Sequence, residues 1–370
     1  MNQEPAVTAP RAWPAWLLAL PMAWAVLVFL HYFRSLGRAL PALPELFTAA
    51  GPGPGIAVRL GVWWGSAWIL LCSAVLVGLV LAWGIRLRRW LGLQAGDPWM
   101  GLALAYGLGI LGFDLLWLGA GLAHLWWRPL MGALLALGFA VALGDALRYW
   151  RAGDFSWRLP REHRWLTATA LLYLLLVLGL GLAPETFYDS MVYHLAIPSD
   201  WLMRHGILDC PTNFFSNYPY GAELYFLNGL FLQGTEAAKC LHAAAFFFCA
   251  LAAGGWARET AGSGAGWLAF GMVLTLPLMA LNASTTQVEG VLAFFIVLLL
   301  YALWKAFGPA PAGGAWALAA GLLAGGALSV KYTAAVALGA GLLSLGRGIF
   351  RPGAMRAWAA LAGGAVLLLG

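Results

Sequence analysis

Residues 288–304 read VEGVLAFFIVLLLYALW, an apolar run that carries one carboxylate near its start. A bilayer core is about 30 Å thick, and a helix rising about 1.5 Å per residue needs roughly 20 apolar residues to cross it. Backbone groups in lipid must be hydrogen-bonded within the chain, and barrel strands would instead be short and alternating. The run therefore predicts a transmembrane helix.

Similar runs recur along the sequence. The other candidate spans run approximately over Trp13–His31, Val58–Ile85, Trp99–Leu122, Arg128–Leu147, Leu166–Pro184, Ala237–Ala257, Gly264–Leu281, Gly314–Val330 and Tyr332–Leu345. A last run, Ala357–Gly370, is too short to cross a bilayer, so we expect the sequence to stop before the protein's natural end. The predicted fold class is all-α, a polytopic transmembrane helical bundle of about ten spans plus a partial one.

Composition supports a membrane protein. Apolar residues make up 62% of the 370 residues and charged residues 10%, and the mean hydropathy is +0.80. A soluble chain of this length needs far more charge to cover its surface. The formal net charge of +6 lies in arginines between apolar runs rather than on one basic face. We therefore expect membrane lipids and no nucleic acid as partners.

The arginines also predict orientation, because loops rich in arginine and lysine stay in the cytoplasm. Three segments on one side carry them: Arg86, Arg88 and Arg89; Arg148, Arg151, Arg158, Arg161 and Arg164; and Arg347, Arg351 and Arg356. Residues 185–236 carry several carboxylates against Arg204 alone. We expect a multi-pass protein of a cell membrane, of the bacterial inner-membrane type, with a cytoplasmic N-terminus and residues 185–236 outside.

The chain divides into two sections that differ in their loops and polar residues. Residues 1–164 form a predicted four-span region with an Arg-rich cytoplasmic connector. Residues 165–370 form a core with the large external loop 185–236, incomplete at its C-terminus.

In the first section Asp114 lies at membrane depth, where an ionisable residue is functional by default; the alternative is a helix-end carboxylate paired with a neighbour or water. In the loop, Gly221–Leu232 is too short to span and fits an amphipathic helix on the membrane surface.

The external loop holds the first candidate site. Asp189 follows the fifth span by a few residues, close to Tyr193 and His194. In a helix Asp189 and Tyr193 would share a face at a spacing of four. A carboxylate at the interface suits a general base for a hydroxyl arriving from outside. The alternatives are a helix N-cap or a surface ion pair with Arg204.

Three further features accompany Asp189. Residues 214–226, FFSNYPYGAELYF, place Tyr218 and Glu223 among aromatic rings, which suit sugars and prenyl chains and equally an interfacial belt. Residues 282–290, NASTTQVEG, bring Glu289 to the start of the eighth span, where it faces Asp189 or is stabilised by the helix dipole. Residues 321–338, GLLAGGALSVKYTAAVAL, present Lys331 between two apolar runs, to bind a lipid phosphate or to snorkel.

The second section resembles the membrane glycosyltransferases of the GT-C superfamily, particularly the protein mannosyltransferases and aminoarabinose transferases (glycosyltransferase family 39). The motifs stand in that superfamily's order: YDSMVYHLAIPSDW (188–201), NYPYGAELYF (217–226), STTQVEGVLAFF (284–295) and GLLAGGALSVKYT (321–333). The resemblance covers roughly Leu166 to Leu345. Two features depart from it: four spans precede the usual first helix, and Glu289 stands where the superfamily more often has Asp.

The resemblance implies a sugar donor carried on polyprenyl phosphate and a lipid, glycan or protein acceptor on the external face. Asp189 would be the general base, and the reaction would invert the anomeric configuration. Lys331, with Arg204 or His194, would balance the charge of the leaving phosphate. Glu289 would hold sugar or acceptor hydroxyls, or help to bind a divalent cation, which only some relatives need.

Two other classes of function remain open. A transporter or flippase of a lipid-linked or small solute would carry ionisable residues near the midplane and broken helices there. A non-catalytic assembly subunit would retain the transferase-like fold without the reaction. The acidic residues between spans favour the enzyme over the transporter.

Overall fold

The computed structural model describes residues 56–151, 164–308, 313–350 and 354–369. By its contacts the chain divides into two units, Met1–Trp63 and Trp64–Gly370. The first expected span, Trp13–His31, and most of the Arg-rich connector lie outside the described residues. All candidate site residues lie in the second unit.

Helices form all the regular secondary structure of these ranges. They are α1 (Ile56–Trp90), α2 (Pro98–Leu122), α3 (Arg128–Arg151), α4 (Arg164–Gly181), α5 (Ala196–Met203), α6 (Gly221–Gln233), α7 (Thr235–Ala261), α8 (Ser263–Leu274), α9 (Pro277–Ala283), α10 (Glu289–Phe307), α11 (Gly314–Val330), α12 (Ala334–Ser344) and α13 (Ala354–Leu369), with a π-helix at Ser190–His194 and 3-10 turns at Phe214–Asn217 and Gly346–Phe350. The all-α prediction is confirmed for the described part of the chain.

Five helices of the described residues are long and apolar enough to cross a membrane: α1, α2, α3, α7 and α10. A sixth span is possible by the same test if α8 and α9 are taken as one helix bent by 62°. The helices α11, α12 and α13 are shorter than 18 residues. Several apolar helices thus fit a multi-pass membrane protein, while the figure of about ten spans stays a prediction.

Helix α2 is largely buried within the second unit. The hydroxyls of Tyr106 on α2 and Tyr225 on α6 are 2.5 Å apart, and Trp117 Nε1 donates to Asn228 Oδ1 at 2.9 Å. All four side chains are buried. Since buried polar groups without partners are costly, these bonds fix the rotation of α2 against α6. A helix of the predicted N-terminal section therefore packs directly into the predicted core.

Helix α6 corrects one expectation. A helix is present where the sequence predicts one, but Gly221 through Gly229 are all buried. An amphipathic helix on a membrane surface would expose one face, so the surface assignment is wrong. A Cβ on Gly221 would lie 2.3 Å from Ser329 Oγ, and one on Gly229 would lie 2.5 Å from the Ala238 nitrogen. These close approaches enclose α6 between α11 and α7.

Charged side chains also join the helices at the end remote from Asp189 and Glu289. Arg258 Nε, near the end of α7, lies 2.8 Å from Asp97 Oδ2 at the start of α2. Glu259 pairs with Lys305 of α10 at 3.0 Å. These ion pairs join three helices at that end, so the four charges are neutralised where α7 and α10 terminate.

Candidate functional site

The loop after α4 returns to helical geometry at Asp189. Its backbone has φ −62° and ψ −39°, its side chain makes no capping hydrogen bond, and a π-helix begins at the next residue. The N-cap alternative is therefore wrong. Arg204 pairs instead with Asp200 at 3.0 Å, so the ion pair expected between Arg204 and Asp189 is wrong as well. π-Helical turns occur frequently at functional sites because they redirect side chains.

Aromatic rings line the loop side of the site. Tyr193 of the π-helix stacks on Phe215 with ring centroids 4.4 Å apart, and Tyr218 meets Tyr193 edge-on at 6.3 Å. Asn213 Nδ2 donates to the Val192 carbonyl at 2.9 Å and so ties this 3-10 turn to the π-helix. Phe214, beside them, is 77% exposed. The result is an aromatic rim with an apolar surface open to its surroundings.

Below the rim, the buried side chains of His194 and Glu223 are hydrogen-bonded to each other. His194 Nδ1 contacts Glu223 Oε1, and both residues are buried. Glu223 Oε2 is buried without a hydrogen-bond partner among the described residues. A buried hydrogen bond of this kind holds its two elements together, because removing either partner leaves the other polar group unsatisfied. The free oxygen is left as an acceptor for a ligand.

Opposite the π-helix, Glu289 and Lys331 meet. Lys331 Nζ lies 3.0 Å from Glu289 Oε1, while Glu289 Oε2 is buried and unpartnered within the described residues. Lys331 lies in extended conformation between α11 and α12, at the break that the sequence predicts. Its side chain is 47% exposed. The ammonium is therefore neutralised on one side and accessible on the other.

Glu185 joins the segment before Asp189 to the segment before Glu289. Its Oε2 accepts hydrogen bonds from Thr286 N at 3.0 Å and Thr286 Oγ1 at 3.3 Å. Its Oε1 accepts from the amides of Thr186 and Phe187, each at 2.9 Å. Hydrogen bonds to a carboxylate are about twice as strong as neutral ones. One side chain therefore sets the spacing of the two acidic segments.

His242 of α7 is hydrogen-bonded to the backbone before and after Glu289. Its Nδ1 lies 2.8 Å from the Thr285 carbonyl, and its Nε2 accepts from the Gly290 amide at 3.1 Å. Since the carbonyl can only accept and the amide only donate, the ring is neutral with its proton on Nδ1. A Cβ on Gly290 would lie 2.5 Å from His242 Nε2. Glycine is required there for the helix to approach this close.

The carboxylates act together on Tyr193. Burial raises the pKa of its hydroxyl above the ordinary value of 10, and the nearby charges of Asp189, Glu289 and Glu223 raise it further. Three acidic residues from three segments of the chain thus lie close enough to one hydroxyl to affect its ionisation. Tyr193 stays a neutral donor at physiological pH.

The structure therefore brings together most of the predicted site residues. Asp189, Tyr193, His194, Glu223, Glu289 and Lys331 belong to one cluster, with Tyr218 at its aromatic rim. Arg204 contacts Asp200 and the Asp209 carbonyl instead, so its hydrogen bonds do not join it to the cluster. Within the described residues no group of three His, Cys, Asp or Glu side chains could hold a metal ion.

Sequence reasoning missed Glu185 and His242. Their partners lie 101 and 48 residues away along the chain, so no local spacing reveals them. The sequence shows only an acidic residue and a histidine beside apolar runs. This pattern alone does not distinguish a residue that positions the site from one that has no part in it.

Asp114 differs from the helix-end carboxylate that one interpretation of the sequence expects. It lies within α2 rather than at a helix end, it is buried, and its Oδ1 has no partner among the described residues. The helix-end placement in that alternative is therefore wrong.

Comparison with known proteins gives no neighbour. No family model matches the chain, and neither the curated proteins nor the solved structures include a match. Any statement about function therefore rests on the geometry of the site itself.

Proposed function

We propose that this protein is a membrane glycosyltransferase that moves a sugar from a polyprenyl-phosphate donor to an acceptor hydroxyl. One observation carries the proposal: the hydrogen bonds of Glu185 with Thr286 join the segment of Asp189 to that of Glu289, and Glu289 pairs with Lys331 at 3.0 Å. A base, a hydroxyl-binding carboxylate and an accessible cation are the groups that this transfer needs.

In the proposed reaction Asp189 removes the proton of the acceptor hydroxyl. The acceptor oxygen bonds to the anomeric carbon from the face opposite the phosphate, which inverts the configuration. The bond between that carbon and the phosphate oxygen breaks, and its electron pair leaves with the polyprenyl phosphate. The Lys331 ammonium, which Glu289 orients at 3.0 Å, balances the negative charge of the leaving group.

Two features support a lipid-linked donor over a soluble one. The rim residue Phe214 is 77% exposed and Tyr188, next to Asp189 in the chain, is 69% exposed, and exposed aromatic rings favour an apolar chain or a membrane interface. The site also borders helices long enough to cross a bilayer, so a prenyl tail would remain in lipid while its phosphate reached Lys331.

A transporter is the second candidate, because α8 and α9 are bent by 62° at Thr275 and Leu276. Broken helices near ionisable residues are common in transporters. Asp114 lies within a candidate span and its Oδ1 has no hydrogen-bond partner among the described residues, which fits the same class.

A reaction assay separates the two. The purified chain in proteoliposomes is given a panel of polyprenyl-phosphate hexoses and pentoses together with membrane lipid and glycan acceptors. The transferase releases free polyprenyl phosphate and forms a new glycosidic bond, detected by mass spectrometry. Movement of the intact lipid-linked sugar between leaflets, with no new covalent product, supports the transporter and contradicts the transferase.

A further inference from the structure

Beside the proposed site lies a cavity of about 370 Å³. Its lining is Asp114, Leu115, Leu118, Trp201, Ile207, Ser216, Pro219, Tyr220, Gly221, Leu224, Leu328, Ser329 and Tyr332. The volume falls within the range of about 300–1,000 Å³ that small-molecule sites occupy. Tyr220 and Gly221 precede Glu223 in the chain, and Ser329 and Tyr332 flank Lys331, so the cavity adjoins the cluster through both.

Asp114 is the polar group that needs a ligand. Only 5% of its surface is exposed, and its Oδ1 is buried without a partner in the described part of the chain. A buried carboxylate oxygen without a hydrogen bond is costly. A wholly apolar occupant, such as a lipid chain, would leave that cost in place.

Two neighbouring hydroxyls in the lining are also acceptors. The Ser329 hydroxyl already donates to the Gly326 carbonyl at 2.8 Å, and the Tyr220 hydroxyl donates to the Phe215 carbonyl at 2.8 Å. Both therefore offer lone pairs rather than protons to the cavity. Together with Asp114 Oδ1, these hydroxyls favour a ligand that carries several hydrogen-bond donors.

Aromatic rings also line the cavity. Trp201, Tyr220 and Tyr332 line the same cavity, and aromatic faces pack against the apolar faces of small rings. A ligand with hydroxyl donors on its edge and C–H groups on its faces is a saccharide ring. We infer that this cavity binds a hydroxylated sugar ring, with Asp114 accepting hydrogen bonds from its hydroxyls.

The proposed reaction offers two sources for that ring, and this part of the inference rests on the proposed function. The ring belongs either to the donor or to a sugar acceptor. Asp114 is then a specificity-determining residue that touches the substrate away from the reacting carbon. Sites built to hydrogen-bond a substrate hydroxyl discriminate strongly against ligands that lack it.

A binding experiment tests the cavity without requiring transfer. Saturation-transfer NMR with the detergent-purified full chain uses methyl α- and β-hexopyranosides and pentopyranosides as probes. We expect at least one probe to bind, and Asp114→Asn to weaken it by at least about tenfold, as expected for the loss of one buried hydrogen bond. Ser329→Ala should weaken it by a smaller factor, while Asp209→Asn, at an exposed loop carboxylate, should not change it.

The outcomes are distinguishable. Absence of binding by every glycoside, or equal binding by wild type and a folded Asp114→Asn variant, overturns the inference. Binding that depends on Asp114 in a protein without transferase activity supports the cavity and contradicts the proposed function alone. Where transfer occurs, an increase in donor KM in Asp114→Asn identifies the donor ring, and an increase in acceptor KM identifies the acceptor ring.

Discussion

Glu185 and Thr286 lie 101 residues apart in sequence, yet the Thr286 amide and hydroxyl both donate to one oxygen of the Glu185 carboxylate. The contact joins the loop that leads to Asp189 with the turn that leads to Glu289. These hydrogen bonds do not join Asp189 and Glu289 to each other directly. Their relative position depends on Glu185, which is therefore a positioning residue.

Replacement of Glu185 by Ala should separate the two segments. It removes the acceptor of four hydrogen bonds and should lower the free energy of unfolding by about 1–3 kcal/mol. In a transfer assay kcat should fall more than KM rises, because geometry is lost rather than substrate contact. Glu236→Ala is the control, since the Glu236 carboxylate accepts a hydrogen bond from its own neighbour in sequence, the Thr235 hydroxyl, at 3.1 Å. Equal effects of both variants would contradict the positioning role.

Gly290→Ala should destabilise the protein, because the added methyl would lie 2.5 Å from His242 Nε2. The imidazole is held on both sides by backbone bonds, so it cannot move away without losing one of them. The matched control is Gly264→Ala on α8, where a Cβ meets nothing within 4 Å. Thermal melting should show a lower Tm for the first variant and an unchanged or raised Tm for the second, since Ala favours helix by about 0.5–1 kcal/mol.

A similar Tm for the two alanine variants would mean that α10 can shift away from His242 at little cost. The support for Glu289 would then be weaker than the hydrogen bonds suggest.

Lys331→Met should affect transfer far more than stability. The Lys331 side chain is 47% exposed and that of its partner Glu289 is 37% exposed. Ion pairs this exposed contribute about 0–1 kcal/mol to folding. Loss of a cation that balances a leaving phosphate should slow transfer by roughly 10²-fold or more. Lys331→Arg, which keeps the charge, should retain most of the rate. Full activity in Lys331→Met, measured by release of polyprenyl phosphate, would remove Lys331 from the site.

Alkaline pH should destabilise the loop through its tyrosines. Burial and neighbouring carboxylates raise the pKa of Tyr193, and burial and Glu223 raise that of Tyr220. In the unfolded chain both ionise near pH 10, so the stability they contribute is present below pH 10 and is lost as the pH rises beyond it. Tyr193→Phe should reduce the fall of Tm above pH 10. Between pH 6 and 9 the pH dependence of Tm should be the same as in the wild type. An unchanged alkaline slope would contradict this assignment.

Much of the fold was predictable because apolar runs report directly on helices in lipid. The ends of α2 and α10 lie within a few residues of the predicted spans, and Lys331 falls at the expected break between α11 and α12. The misassigned helix is α6. Its apolar residues are typical of both a surface helix and a buried one, and only the close approach of Gly221 to Ser329 distinguishes them.

Spacing and charge in the sequence indicate the residues of the candidate site but not the contacts between them. Asp189, Glu289 and Lys331 stand out because charges beside apolar runs are rare. The contact of Glu185 with Thr286 and that of His242 with Gly290 depend on tertiary packing, which spacing along the chain does not encode. The resemblance assigned Arg204 to the site as a charge that balances the leaving phosphate, and in the structure Asp200, four residues earlier, pairs with it.

Asp189 is proposed as the general base of sugar transfer, and single-turnover release of polyprenyl phosphate tests that role most directly. Wild type, Asp189→Asn and the loop control Asp209→Asn are compared with the lipid-linked sugar that the wild type accepts. We predict a loss of at least about 10²-fold in Asp189→Asn, as expected for removal of a general base, and an unchanged rate in Asp209→Asn. Release at the wild-type rate by a folded Asp189→Asn variant would contradict the proposed role.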